Sequence, residues 1–121
     1  MPDGRVRGLV LEVKDAAAFR AQVLESREPT VALFWATWCP FCRKYRPEFE
    51  KLAAQWPWRF ASVYLDDQSN PLWDDYAVEV VPTLALFRDG QLVERQDRIL
   101  GYGLDRKATD AFVARLAAAL S

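Results

Sequence analysis

The sequence predicts an α/β fold in which a mixed β-sheet carries helices on both of its faces. Three observations lead to this prediction. The unbroken apolar segment from Thr30 to Trp35 is typical of a central strand that is buried on both faces. Apolar residues then recur at helical spacing, from Arg43 to Trp56 and again from about Leu104 to Leu120. The pair Asp89-Gly90 between two late apolar segments predicts a β-hairpin.

The first strand and helix precede the central strand. Residues from Gly8 to Val13 alternate as a short strand does, and Asp15 is a plausible N-cap for the helix that follows. That helix is expected to extend to about Ser26, because Glu28-Pro29 disfavours helical backbone. Residues 1–7 are expected to form a loose N-terminal extension.

The helix after the central strand has one apolar stripe, formed by Tyr45, Phe49, Leu52, Ala53 and Trp56. Pro47 lies inside it and should kink it. The opposite face is charged and should lie in water, with its first three cations close to the cysteines; it consists of Arg43, Lys44, Arg46, Glu48, Glu50 and Lys51.

The second half of the chain supplies the remaining elements. These are a strand from Arg59 to Leu65, a turn from Asp66 to Pro71, a short helix from Leu72 to Tyr76, a strand from Thr83 to Phe87, and an edge strand from Leu92 to Leu100. This order predicts parallel strands early in the chain and an antiparallel hairpin late.

Composition limits the class of protein. A chain of 121 residues with 51% hydrophobic residues is expected to form one domain with a real core. Its net charge of −1 gives no general reason to bind nucleic acid or membranes. We see no apolar run long enough to span a membrane and no signal peptide, so we expect a cytoplasmic monomer.

The two cysteines, Cys39 and Cys42, lie at the junction between the central strand and the next helix. Two cysteines without any histidine are too few for a structural zinc site and exclude a Cys–His hydrolase. A helix N-terminus favours a thiolate, so Cys39 is the candidate nucleophile and the more buried Cys42 the resolving thiol. Pro40 fits the first helical position. A purely structural disulfide is the alternative, although few cytosolic proteins keep one.

The segment Trp35-Ala36-Thr37-Trp38-Cys39-Pro40-Phe41-Cys42 resembles the active-site segment of thioredoxins. Pro47, Val81-Pro82-Thr83, the hairpin Leu86 to Gly90, and Gly101 resemble further family features in the same order. The resemblance implies the thioredoxin fold and a protein disulfide oxidoreductase without a bound cofactor or metal. It also implies protein disulfides as substrates and a reductase or glutathione as electron donor.

The resemblance also implies the substrate groove. It predicts a cis Val81–Pro82 bond beside the cysteines, with the backbone of Val81 offered to an extended substrate. Trp35 is expected in the core. The residues expected to bind substrate are Trp38, Pro40, Phe41, Val81, Pro82 and Gly101, with Tyr102 as a further candidate.

Two departures from the thioredoxin pattern leave alternatives open. Leu33 stands where thioredoxins commonly carry a buried Asp, and the neighbouring Lys would fall near Ser62 or Val63. Pro40-Phe41 is similar to the glutaredoxin dipeptide, so we expect a reduction potential above that of thioredoxin but below the oxidising extreme. The alternatives are a glutaredoxin-like enzyme, an oxidase or isomerase, and a redox-sensing binding module.

Overall fold

The computed structural model describes residues 8–99 and 103–120. In these ranges, none of the helices is long and apolar enough to cross a membrane. In chain order the elements are β1 (Val10–Val13), α1 (Ala16–Phe19) with a π-helical segment (Arg20–Leu24), β2 (Thr30–Trp35), α2 (Pro40–Gln55), β3 (Arg59–Tyr64), α3 (Leu72–Asp75), β4 (Thr83–Arg88), β5 (Gln91–Asp97) and α4 (Arg106–Leu120).

The strands form one sheet in the order β1-β3-β2-β4-β5. β1 and β2 both run parallel to β3, whereas β4 is antiparallel to β2 and to β5. The predicted mixed sheet is therefore confirmed. All residues of β2 are buried, as the apolar run from Thr30 to Trp35 predicts for a central strand covered on both faces.

One side of the sheet, here called the aromatic face, is covered by α1, the π-helical segment and α3. Its centre is a cluster of four rings, with centroids 5.2 Å apart for Phe19 and Phe87 and 5.1 Å apart for Tyr76 and Phe87. Phe34 completes the cluster from β2, 5.9 Å from Phe19. Edge-to-face ring pairs of this kind add to the free energy gained from burying their apolar area.

The other side, here called the helix-pair face, is covered by α2 and α4. Phe49 of α2 packs on Phe60 of β3 at 5.6 Å. The hydroxyls of Tyr45 and Thr109 are 2.8 Å apart and join the two helices through a buried hydrogen bond. Burial raises the pKa of Tyr45 to about 12.

Several element boundaries differ from the prediction, most of them by one or two residues. The first helix changes to π-helical geometry after Phe19, with the Glu25 amide donating to the Arg20 carbonyl at 2.9 Å, and both Phe19 and Val23 are buried. β1 begins only at Val10, two residues after the predicted start. The alternating pattern includes Leu9, but Leu9 is 52% exposed and lies outside the strand. β5 ends at Asp97, and Leu100, its predicted last residue, lies outside the described residues.

Candidate active site

Cys39 is the N-cap of α2, directly beyond the end of β2. Its backbone is extended, with φ of −92° and ψ of 119°, and its carbonyl accepts the Arg43 amide at 3.1 Å. Pro40 occupies the start of the helix, where a missing amide hydrogen costs no helical hydrogen bond. The N-cap position places Cys39 at the positive end of the α2 dipole, as the sequence predicted, and its side chain makes no capping hydrogen bond with the helix amides.

Asp66, which follows β3, holds the loop between β2 and α2. Its Oδ1 accepts the Thr37 amide at 3.0 Å, its Oδ2 accepts the Thr37 hydroxyl, and its carbonyl accepts the Trp38 indole N–H at 3.0 Å. The guanidinium of Arg43 donates to the Thr37 carbonyl at 2.9 Å. These bonds fix the loop that positions Cys39. The local sequence pattern at Asp66 indicates only a turn.

Val81 and Pro82 lie against Cys39. The Val81–Pro82 peptide bond is cis, as the resemblance predicted. The Val81 carbonyl lies 3.6 Å from the Cys39 sulfur and can accept its thiol hydrogen. Cys39, Val81 and Pro82 are all buried. The structure thus brings together two segments separated by about forty residues of sequence.

Cys42 lies one turn into α2 and is fully buried, as its position inside the helix indicated. Both cysteines are free thiols. Burial raises the pKa of Cys42 far above its ordinary value, and a hydrogen bond from the Ala36 backbone opposes this only in part. Contact with the Cys39 side chain raises the Cys42 pKa further. The two thiols therefore differ in position, with Cys39 at the N-cap of α2 and Cys42 inside the helix.

Leu33 is fully buried on the helix-pair face, where the resembling family carries an acidic residue. In the sheet it pairs with Ser62, which pairs in turn with Glu12 of β1. This row of side chains becomes more polar toward the sheet edge. Within the described residues, the acidic member of the row is therefore Glu12, two strands away from Leu33.

Arg46 does not share the solvated face of α2 with Arg43 and Lys44, so that expectation was wrong. Its guanidinium binds Glu12 at 2.7 Å and Ser62 at 3.1 Å. The reason is that Arg46 flanks the buried stripe of α2, and a long side chain there can extend over the sheet. Burial alone would lower the pKa of Arg46, but the hydrogen bond with Glu12 contributes to a net rise.

Phe41, between the two cysteines, contacts residues that follow β5. The Arg98 guanidinium carbon lies 4.8 Å from the centre of its ring. A Cβ atom on Gly103 would come within 3.0 Å of Phe41 Cδ1, and Gly103 has φ of +81°, a conformation that suits glycine. Neither Arg98 nor Gly103 was predicted as a site residue, because no local sequence pattern indicates their contact with Phe41.

The predicted substrate-binding residues fall into different environments. Trp38 is 49% exposed and Pro40 is also exposed, whereas Phe41 is half-buried. Trp35 is buried in the core, as expected. Gly101 and Tyr102 lie outside the described residues. Direct contact with substrate remains a prediction for all of these positions.

Comparison with known families gives one family for this arrangement. The thioredoxin family model matches residues 10–108 of the chain. Thioredoxin 1 of Synechococcus elongatus is 37% identical over 79 residues, which cover 64% of this chain and 74% of that protein. Thioredoxin of Mycobacterium tuberculosis is 37% identical over 90 residues, covering 74% of this chain and 77% of that protein.

A larger relative contains a similar segment. The bifunctional thioredoxin reductase/thioredoxin of Mycobacterium leprae is 38% identical over 96 residues, which cover 78% of this chain but only 21% of that protein.

Solved structures show the same fold. Thioredoxin f from spinach chloroplast superposes with a TM-score of 0.75 at 24% identity and covers 96% of this chain and 90% of its own. A variant of thioredoxin from Halobacterium salinarum superposes with a TM-score of 0.68 at 30% identity, covering 91% of this chain and 93% of its own.

Proposed function

We propose that this chain, which belongs to the thioredoxin family and is a thiol–disulfide oxidoreductase, reduces protein disulfides with Cys39 as nucleophile and Cys42 as resolving thiol. The observation that carries the proposal is the different placement of the two thiols. Cys39 caps α2 next to the Val81 carbonyl, whereas Cys42 is fully buried and its pKa is raised.

The exchange proceeds in two steps. The Cys39 thiolate attacks one sulfur of the substrate disulfide, so that a mixed disulfide forms and the other substrate sulfur leaves as a thiolate. Cys42 then loses its proton and attacks Cys39, which closes the Cys39–Cys42 disulfide and releases the second substrate thiolate. Two electrons pass from the dithiol to the substrate.

The proton of Cys42 needs an acceptor, and Leu33 cannot provide one. We propose that the departing substrate thiolate, directly or through water, takes this proton. The raised pKa of Cys42 keeps its proton in place until a mixed disulfide forms next to it. Premature ionisation of the resolving thiol is thereby avoided.

Trapping distinguishes the roles of the two cysteines. With insulin as substrate, Cys42→Ser should accumulate a mixed disulfide with an insulin chain, visible by mass spectrometry, because the resolving step is blocked. Cys39→Ser should trap nothing and should lose insulin reduction. Retention of activity in Cys39→Ser, or trapping by that variant instead, would contradict the assignment; Cys39→Ser/Cys42→Ser is the background control.

We propose a thioredoxin reductase as electron donor and the cytoplasm as compartment. The bifunctional relative, whose name includes both activities, supports the donor. The chemistry supports the compartment, because a protein that donates electrons must be kept reduced, and the cytosol keeps thiols reduced. NADPH oxidation coupled to insulin reduction should be seen with a thioredoxin reductase. If glutathione with glutathione reductase supports turnover and thioredoxin reductase does not, the glutaredoxin-like alternative replaces this proposal.

A further inference from the structure

Arg98 leaves the edge strand β5 and reaches the dithiol site. Its guanidinium lies on the Phe41 ring, with the guanidinium carbon 4.8 Å from the ring centroid. Its Nη1 also lies 3.4 Å from the Val81 carbonyl, the group that accepts from the Cys39 thiol. Arg98 and Cys39 thus share one acceptor. A planar guanidinium suits this site because it can stack on a ring and donate sideways at the same time.

In the part of the chain that the structure describes, the charge of Arg98 has no carboxylate partner. Within residues 8–99 and 103–120, Arg98 makes no salt bridge, and its Nε is buried without a hydrogen-bond partner. The neighbouring Arg95 differs, because it binds Asp97 at 2.8 Å. A positive charge that no carboxylate neutralises acts more strongly on nearby groups, above all where burial lowers the local dielectric.

The effect of this charge reaches Cys42. Burial dominates and raises the pKa of Cys42, but the Arg98 charge acts in the opposite direction. Because the raised pKa of Cys42 keeps its proton in place, the sulfur on which Arg98 favours a negative charge in the reduced pair is that of Cys39, whose thiol shares the Val81 carbonyl with Arg98. Once the two sulfurs form a disulfide, neither can carry a negative charge, and this attraction is lost.

The position of Arg98 is fixed at both ends. β5 pairs with β4 up to Asp97, immediately before Arg98. Immediately after it, Ile99 and Gly103 exchange backbone hydrogen bonds of 2.7 and 3.0 Å. Gly103 in turn contacts Phe41. The backbone is thus fixed on both sides of Arg98, and the Phe41 ring and the Val81 carbonyl position its guanidinium.

We propose that Arg98 is a positioning residue for the exchange reaction: held by Phe41 and the Val81 carbonyl, its charge stabilises the reduced Cys39–Cys42 pair relative to the disulfide and raises the reduction potential of the couple. The inference rests on the proposed function and deepens it. It balances as a two-electron couple, because oxidation of the thiolate–thiol pair removes two electrons and the remaining thiol proton and forms one S–S bond.

The test is the reduction potential, measured by equilibration with glutathione buffers at fixed pH. Arg98→Gln removes the charge, and its equilibrium constant should shift about tenfold toward the disulfide, which is about 30 mV more negative for a two-electron couple. Arg98→Lys keeps the charge but loses the planar guanidinium, and its equilibrium constant should stay within about threefold of the wild-type value. Arg20→Gln, an exposed site with the same change of net charge, should match the wild type.

A purely structural role would give different results. It would lower the midpoint of thermal unfolding in all Arg98 variants without separating the potentials of Arg98→Gln and Arg98→Lys. Equal potentials for Arg98→Gln, Arg20→Gln and the wild type would overturn the inference, as would equal shifts in Arg98→Gln and Arg98→Lys. If Arg98→Gln does not fold, Arg98→Met replaces it as the neutral variant, since its apolar stem can still pack on Phe41.

The same titration separates this inference from the proposed function. If the wild-type protein forms no Cys39–Cys42 disulfide in any glutathione buffer, the proposed function fails. If the wild type gives a well-defined potential that the neutral Arg98 variants share, only the role of Arg98 fails.

Discussion

The two faces of the sheet are covered by helices in different ways. On the aromatic face, the rings of four residues pack against one another: Phe19, Phe34, Tyr76 and Phe87. The rings of Phe34 and Phe87 belong to sheet strands and are fully buried. The helix-pair face also has an apolar centre, but it includes the ion pair of Arg46 and Glu12 at the sheet edge. Helix α2, which covers this face, contains Cys42 and has Cys39 as its N-cap.

This difference separates stability from chemistry. Ring packing gains free energy in proportion to the apolar area removed from water and needs no charge. A redox pair requires thiols whose ionisation is controlled, and so the chemistry belongs on the face that already contains charged and hydrogen-bonded groups. Changes to the aromatic face should therefore alter the free energy of unfolding without altering the reduction potential.

The largest expected effect is that of Phe34→Ala. Removing a fully buried ring from the centre of the aromatic face should lower the free energy of unfolding by about 3–5 kcal/mol. Urea unfolding measures the loss, and the reduction potential of the folded protein should be unchanged. A loss below about 1 kcal/mol, or a shifted potential, would remove the distinction between the two faces.

A smaller loss is expected at the ion pair. Arg46→Met leaves the Glu12 carboxylate without its partner, and we expect unfolding free energy to fall by about 1–2 kcal/mol, since the Glu12 side chain is 41% exposed and partly solvated. Glu12→Gln/Arg46→Met should recover part of that loss in a double-mutant cycle. Additive losses from the two single variants would show that the pair contributes no coupling.

The smallest effect is a pH dependence that only the reduced protein should show. The pKa of Cys42 is raised in the folded state, so above the ordinary value of 9.0 the unfolded chain releases a proton that the folded chain keeps. Stability is therefore fully present below pH 9 and falls above it, by at most about 1.4 kcal/mol per pH unit. Urea unfolding of the reduced and the disulfide forms between pH 8 and 10 measures the difference.

The matched control for this pH dependence is Cys42→Ser under reducing conditions, which retains Cys39. Tyr45 also has a raised pKa, but it titrates in both redox forms and cancels from the difference. If the unfolding free energy of the reduced wild-type protein changes with pH as that of Cys42→Ser does, burial of Cys42 does not control its ionisation.

The sequence was sufficient where a local pattern determines local structure. β2 spans the residues from Thr30 to Trp35 that the apolar run indicated. The hairpin between β4 and β5 turns at Asp89 and Gly90, both with positive φ, as a two-residue turn requires. The N-cap position of Cys39 followed from the change of period at the strand–helix junction.

The sequence was insufficient where long polar side chains connect distant elements. Arg46, Asp66 and Arg98 all lie in segments whose local pattern indicates only a solvated helix face, a turn or an edge strand. Their partners are 34 residues away for Arg46 and Glu12, and 29 residues away for Asp66 and Thr37. Such contacts depend on strand order, which polarity patterns do not specify by themselves.

The contacts of Phe41 also bear on protein engineering. The two residues between the cysteines form a short segment that could be exchanged between redox proteins in order to change their reduction potential. Here the dipeptide includes the Phe41 ring, which lies against Arg98 and would crowd a side chain at position 103, whose Cβ would lie 3.0 Å from Phe41 Cδ1. Transplanted alone, Pro40-Phe41 would arrive without its neighbours; the transferable unit is the dipeptide together with the segment that follows β5.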